Sequence, residues 1–372
     1  MEACRHFKGD RPCKYYWIDR SWDCTTCSHH HPFKERILLI KLDELGDVMR
    51  ATALAEGIKK KYPDAQFTWL VRDNALPFVK GNPYIDRIKI YNEDTIRSLL
   101  CEQFDILINL DKDPKAASLA TIVPAKNKRG YGWHLEGYVI PFNKGAENHY
   151  TICLDNYGAK TTNKKSYQQL IFEIAELPYT GERPQLYLDP QKAALYREHF
   201  FQKNTITSHN NVIIFNTGCG PVYPHKKWTY EGFRDVGKRL LQDTNVWIIL
   251  TGADSEVELN RDLFHDLNHP HVIDMTNQCS IEQFCYLINS ANIVLTGDTV
   301  GLHIAIALHK KIISFFGPTP HQEIDLFGLG KKFVREELDC LNCYDQFPCP
   351  YGGRCMTLIT PEEVYNTVQE LR

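Results

Sequence analysis

Arg36-Ile-Leu-Leu-Ile-Lys-Leu-Asp-Glu-Leu-Gly-Asp-Val-Met-Arg50 reads as a strand, a turn and the first turns of a helix. The apolar run Ile37 to Ile40 is short and unbroken, as a strand buried on both faces must be. Val48, Ala51, Ala55 and Ile58 then recur at helical spacing, and the pattern stops at Tyr62-Pro63, so a helix is expected over 47–61. Open α/β sheets hold ligands at turns of this kind, beyond the carboxyl ends of strands. Gly46-Asp47 places a carboxylate there. It has two readings, a cap for free helical amides or a general base facing a cleft. Taken alone, capping is the simpler.

Outward from this unit, strands are expected at 67–71, 87–91 and 105–110. A helix is expected from Tyr167 to Glu176 and helical turns near 190–202. The pattern then restarts. Strands are expected at 211–215, 246–250, 272–274, 293–295 and 312–316. Helices are expected at 229–242 behind Thr229, at 255–267, from Ser280 with Gln283 as a capping box, and at 300–308. Alternation of this kind predicts an α/β fold of two doubly wound parallel-sheet domains facing a cleft. The expected division is 1–35, 36–185, 186–335 and 336–372, the first and last being cysteine-rich modules and the last ending in a helix.

The 372 residues suit two domains, and 43% apolar with 24% charged residues suits ordinary globular ones. A net charge of −3 argues against broad nucleic-acid binding. No apolar run approaches the roughly 20 residues of a membrane span, and Met1-Glu-Ala-Cys-Arg-His has no apolar signal core, so the expected location is cytoplasmic.

Two further stretches carry chemistry. Asn216-Thr-Gly-Cys-Gly-Pro-Val-Tyr-Pro-His-Lys-Lys-Trp228 follows the strand that opens the second half. Its glycines let amides approach an anion, and Lys226 or Lys227 offers a charge for phosphate. Otherwise it is a solvated basic loop. Leu295-Thr-Gly-Asp-Thr-Val-Gly-Leu-His303 puts Asp298 and Thr299 at a second strand end, suited to sugar hydroxyls or to capping. Neither G-x-G-x-x-G after the first strand nor a P-loop is present. Lys112, Lys115, Lys126, Lys128 and Arg129 are candidates for the acceptor side, or for a solvated charged face.

Ile-Lys-Leu-Asp-Glu-Leu-Gly-Asp47, His-Lys-Lys-Trp228, Gly-Asp-Thr-Val-Gly-Leu-His303 and Phe-Phe-Gly-Pro-Thr319, in this order and spacing, resemble glycosyltransferase family 9, the ADP-heptose-using heptosyltransferases of bacterial surface polysaccharide assembly. The resemblance covers about residues 36 to 372. It implies a GT-B architecture and an inverting transfer of heptose from ADP-heptose to an acceptor hydroxyl on a glycan or protein. It implies Asp47 as base, Lys226 on the diphosphate, Glu256 near the nucleoside and Asp298 on the nucleotide sugar. Thr217, Gly218, Thr299, Gly301 and His303 fall in the donor loops. Where many members read Asp-Thr-Gly-Pro-Met-His, this chain has Val300 and Gly301 in the middle. With lysine at the diphosphate, no catalytic divalent cation is expected. The alternatives are a silent nucleotide-sugar-binding protein, a transferase using another nucleotide sugar, and a metal-dependent redox protein. Self-association into a homo-oligomer is left open.

Thirteen cysteines is unusual for a reducing compartment, where clusters suggest metal before disulfides. Cys340-x-x-Cys343 is followed by Cys349 and Cys355, four thiols within sixteen residues. Cys4, Cys13, Cys24 and Cys27 form a looser set, with His6 and His29 to His31 as substitutes. Four thiolates suit structural zinc or iron and leave no open position for catalysis. Gln322-Glu-Ile-Asp-Leu-Phe-Gly328 followed by the cysteines resembles a narrower branch, the autotransporter-adhesin heptosyltransferases, which implies an iron-binding cysteine finger.

Overall fold

The computed structural model describes residues 4–7, 9–154, 162–220, 223–344 and 349–372. Arg36–Ile40 forms β1, Gln66–Val71 β2, Arg87–Ile90 β3, Phe104–Asn109 β4, Ala125–Trp133 β5 and Val139–Pro141 β6. They build one sheet in the order β3-β2-β1-β4-β5-β6, parallel except for β6 against β5. The second sheet takes β7 (Asn211–Asn216), β8 (Val246–Thr251), β9 (Val272–Asp274), β10 (Ile293–Gly297), β11 (Lys311–Phe315) and β12 (Gly330–Phe333). Its order is β12-β11-β10-β7-β8-β9. Each sheet starts at its centre, winds outward and returns on the other side. The points of reversal lie between β1 and β4 and between β7 and β10, where such sheets open a crevice.

The central strands are apolar on both faces because helices cover both. Ile37 to Ile40, Val212 to Phe215 and Ile293 to Leu295 are fully buried. β5, β6 and β12 were not expected from the sequence. β5 begins Ala-Lys-Asn-Lys and β12 reads Gly-Lys-Lys-Phe, and both are partly exposed. Polar residues on such strands hide the strand signal while discouraging edge pairing.

The helix expected over 47–61 begins earlier, at Leu45, and is broken into Leu45–Ala51 and Ala53–Lys61. Thr52 is the reason. Its hydroxyl donates to the Met49 carbonyl at 2.7 Å and accepts from the Gln185 amide at 2.8 Å, tying the break to the crossing chain. Thr229 caps Tyr230–Leu240 through the Gly232 amide at 3.0 Å, and Ser280 with Gln283 completes the expected capping box. Trp228 stacks on Phe315 at 4.6 Å, against the second sheet.

Val300–Ala307 is apolar almost all round, which for a helix means burial on every side. One side lies on β10 and β11, the other on the Leu45–Ala51 helix of the first half. One apolar cluster therefore runs from Ile37 and Phe67 through Val48 and Leu302 to Val294 and Ile249. Each fully buried Leu or Ile in it contributes roughly 1.5–3 kcal/mol. The C-terminal helix Pro361–Leu371 returns to the second half, seating Val364 and Val368 against Phe233 and Val236. Among the described residues, no helix is long and apolar enough to cross a membrane.

Candidate active site

Loops beyond the ends of β1, β7, β8, β9, β10 and β11 converge on one cavity of about 830 Å³ between the halves, lined among others by Asp47, Arg50, Lys226, Glu256, Asp298 and Tyr344. Its size fits a small-molecule or nucleotide ligand.

Beyond β1, Lys41 is 3% exposed and pairs with Asp111 beyond β4. Asp111 also accepts from the Leu42 amide, and burial raises its carboxyl above the ordinary value against the pull of Lys41. This buried pair fixes the turn that carries Asp47. Asp47 occupies the first helical turn but caps nothing. Glu44 is the N-cap residue, without a side-chain cap bond. Asp47 instead meets Arg50 at 3.1 Å and Lys41 at 3.9 Å, and it keeps 37% of its side chain open to the cleft. Burial would raise its pKa, but Lys41 and Arg50 outweigh that and hold the carboxyl below the usual value. Arg50 lies over the Tyr167 ring at 3.7 Å and donates to the Glu323 carbonyl at 3.2 Å, joining the halves.

Across the cavity, Lys226 meets Asp298 at 3.0 Å, and the Thr319 hydroxyl donates to the same carboxylate oxygen at 2.9 Å. Burial opposes ionisation of Asp298, yet Lys226 and the other neighbouring groups bring it down to about 2. His303 stands 3.7 Å from Asp298, and burial lowers it to about 3, so its ring is neutral near pH 7. The first half reaches it at Gly46, where a Cβ would sit 2.9 Å from His303 Cδ2. Only glycine lets the two helices approach this closely.

Glu256 is fully buried. It accepts from the Ala253 amide at 3.0 Å and Ser255 at 2.8 Å, and it pairs with Lys227 at 2.6 Å. Gly218 packs on it, and a Cβ there would lie 2.5 Å from its carboxylate. Thr299 lines the cavity and caps the Val300–Ala307 helix through the Gly301 amide at 3.2 Å. Two expected donor residues are turned away. The Thr217 hydroxyl donates to Asn260 of the Val257–Leu267 helix at 2.7 Å. Gly301 packs under Asn216, where a Cβ would meet Nδ2 at 2.9 Å. Asn216, Arg50 and Tyr344 line the cavity and carried no expectation. Four of the five basic residues named for the acceptor side are engaged with neighbouring groups. Lys126 pairs with Asp105, Lys128 donates to the Thr121 carbonyl, Arg129 is buried on Glu176, and Lys112 meets Cys153 at 2.7 Å.

Cys340, Cys343, Cys349 and Cys355 line one small cavity of about 30 Å³ together with His225, room for one ion or water-sized guest. Burial and then the other three thiols push Cys355 up to about 11. Among the described residues, no three His, Cys, Asp or Glu side chains stand close enough to hold a metal. In the N-terminal set Cys4 is buried and accepts from the His31 amide at 3.3 Å, Cys13 precedes Lys14–Ile18, and Cys24 and Cys27 flank a turn held by Asp23.

Residues 94–350 match glycosyltransferase family 9 (heptosyltransferase), well over half of the chain. The chain belongs to glycosyltransferase family 9. It is similar to lipooligosaccharide heptosyltransferase 2 of Haemophilus ducreyi, 22% identical over 303 residues, covering 76% of this chain and 84% of the relative. Among solved structures, a family 9 glycosyltransferase from Veillonella parvula superposes with a TM-score of 0.72 at 17% identity, covering 91% and 97% of the two chains. TibC of enterotoxigenic Escherichia coli, described as a dodecameric iron-containing heptosyltransferase and solved with ADP-D-β-D-heptose, gives 0.57 at 10% identity over 91% and 76%. These structural likenesses bear on the fold, a GT-B arrangement of two parallel sheets. As a family 9 member the chain is a glycosyltransferase.

Proposed function

We propose that this family 9 enzyme transfers heptose from ADP-heptose to a hydroxyl of an acceptor glycan or protein, with inversion at the anomeric carbon. The observation that carries the reading is the opposition, across one cavity, of the Asp47 carboxylate and the Lys226–Asp298 pair. Support for the donor comes from family membership and from the name TibC carries for its bound ligand.

In this reading the acceptor oxygen bonds to the anomeric carbon as the bond to the ADP phosphate breaks. The proton goes to Asp47 and the negative charge to ADP. Asp47 is a weak base, since Lys41 and Arg50 hold it ionised. It therefore takes the proton late, as bond formation makes the hydroxyl acidic. Lys226 exchanges Asp298 for the leaving diphosphate and stabilises its charge. His303, neutral, stands beside Asp298 without adding charge. Glu256 holds Lys227 beside the same loop, and the cavity wall beyond it receives the nucleoside.

The four C-terminal cysteines are proposed to hold a structural zinc or iron. Their donor chemistry suits a tetrahedral thiolate site and they line one ion-sized cavity, though to ligate an ion the thiols would have to draw together from where the structure places them. Such an ion would cross-link the segment from Cys340 to Cys355. Asp47→Asn is expected to leave ADP binding intact and to lower turnover 10²–10⁴-fold, read by mass spectrometry of transfer products. Turnover near that of the unaltered enzyme would remove Asp47 as base.

A further inference from the structure

The cysteine cavity and the Lys226–Asp298 pair share their walls. His225 lines the cysteine cavity, and the next residue, Lys226, lines the large one. Pro318 lines the cysteine cavity, and the next residue, Thr319, donates to Asp298 at 2.9 Å. The two loops flanking the ion pair thus both rest on the thiols through their neighbouring residues.

The contacts are close on each side. On the Asp298 side, a Cβ at Gly317 would sit 2.5 Å from Cys355 Sγ. The Asn342 amide donates to the Gly317 carbonyl at 2.9 Å, and the Tyr344 amide to the Pro318 carbonyl at 2.8 Å. Tyr344, next to Cys343, then enters the large cavity and meets Tyr223 edge-on at 6.4 Å. On the Lys226 side, His225 and Lys226 share the short turn Pro224–Lys226. The Lys226 carbonyl packs on Gly297, where a Cβ would lie 2.7 Å from it. Two residues on, the Trp228 indole donates to the Ile359 carbonyl at 3.1 Å, pinning that loop to the chain just beyond the cysteines.

We propose that the four-cysteine cavity is a clamp on the donor-phosphate site, acting through His225 on one jaw and Pro318–Thr319 on the other. Drawn together, the thiols would fix the distance between the jaws and so the placement of Lys226 against Asp298. His225 is a positioning residue. It touches no substrate, and as a wall of the cysteine cavity on the Pro224–Lys226 turn it carries the position of that cavity to the lysine. A lysine held in place binds a diphosphate without first losing its freedom, whereas a loosened one spends affinity on ordering. The clamp therefore sets donor affinity, a role different from holding the fold together. The inference rests on the reading of Lys226 and Asp298 as the donor-phosphate site.

The test uses the full chain with ADP as probe. Calorimetric ADP affinity, KM for each substrate, melting temperature and metal content are compared for the parent enzyme, His225→Ala, His225→Asn and Cys349→Ser. His225→Ala keeps all four thiols. It is expected to weaken ADP binding and raise donor KM about tenfold, with acceptor KM, melting temperature and metal content unchanged, and His225→Asn is expected to recover part of the loss. Cys349→Ser is expected to show the same donor-selective loss. If it does not fold, His225→Ala decides alone. ADP affinity of His225→Ala within twofold of the parent, or equal losses in donor and acceptor KM, overturns the clamp. A parent enzyme that binds no ADP overturns the donor reading itself, a result distinguishable from the other two.

Discussion

Asp47 is pulled in opposite directions, by a protein surround that disfavours charge and by two cations that favour it, and the cations win. With its pKa below the ordinary carboxylate value, it is ionised throughout the physiological range. His303 at about 3 and Asp298 at about 2 also keep one protonation state there. The pH profile of kcat/KM is therefore expected to show no inflection from these three groups between about pH 5 and 8, and to fall only on strong acidification, as the carboxylates protonate. An acid limb near pH 6.5 that disappears in His303→Gln would contradict this. Asp47, Lys226 and Asp298 were legible because each lies in a loop beyond an expected strand, whereas Glu256 was legible only through the family resemblance. Arg50 was not legible, since its role depends on a carbonyl 273 positions away. The turn of the Thr217 hydroxyl toward Asn260 was not legible either, because sequence spacing does not reveal which face of a loop a hydroxyl takes.

At the scale of elements, strand order was open to reading only through the alternation of apolar runs and amphipathic helices. Central strands such as β1 and β7 announce themselves, while β5 and the edge strand β12 do not, because their partly exposed lysines interrupt the apolar pattern. The break at Thr52 was hidden as well, since its partner, the Gln185 amide, comes from a distant crossing segment. Strand ends are also tied by charge. Glu102 sits between Arg36 at the start of β1 and Arg87 and Lys89 of β3, at 2.7, 2.8 and 2.9 Å. Burial opposes its charge, but Arg87 and Lys89 bring its pKa from 4.5 to about 2. A depressed carboxylate contributes stability that is complete above its unfolded pKa and is lost as pH falls through its folded one. Glu102→Gln should thus lower unfolding free energy by about 2–3 kcal/mol at pH 7. The deficit should shrink between pH 4.5 and about 2. Denaturant titration at pH 7 and pH 3 checks both; a constant deficit would refute the assignment.

At the scale of the whole molecule, the two sheets share one apolar seam at the Leu45–Ala51 and Val300–Ala307 helices, so the cleft is framed by a packed contact. Within that frame the charges are matched one to one. Lys41 has Asp111, Arg50 has Asp47, Lys226 has Asp298 and Lys227 has Glu256. The resting enzyme thus carries its own counter-ions. A diphosphate approaching it meets no surplus of positive charge, and Lys226 becomes available only as Asp298 yields it. Long-range attraction contributes little to such an encounter, because a neutralised cleft projects a weak field. The association rate for ADP should accordingly change less than about threefold between 20 and 200 mM salt, over which the Debye length falls from about 20 to 7 Å. Stopped-flow measurement of a tenfold decline would show that the pairs are open in solution. Free phosphate, a smaller anion with fewer contacts to offer, would face the same internal competitor, so the paired cleft screens its visitors by what they can replace, with little regard to the charge they bear.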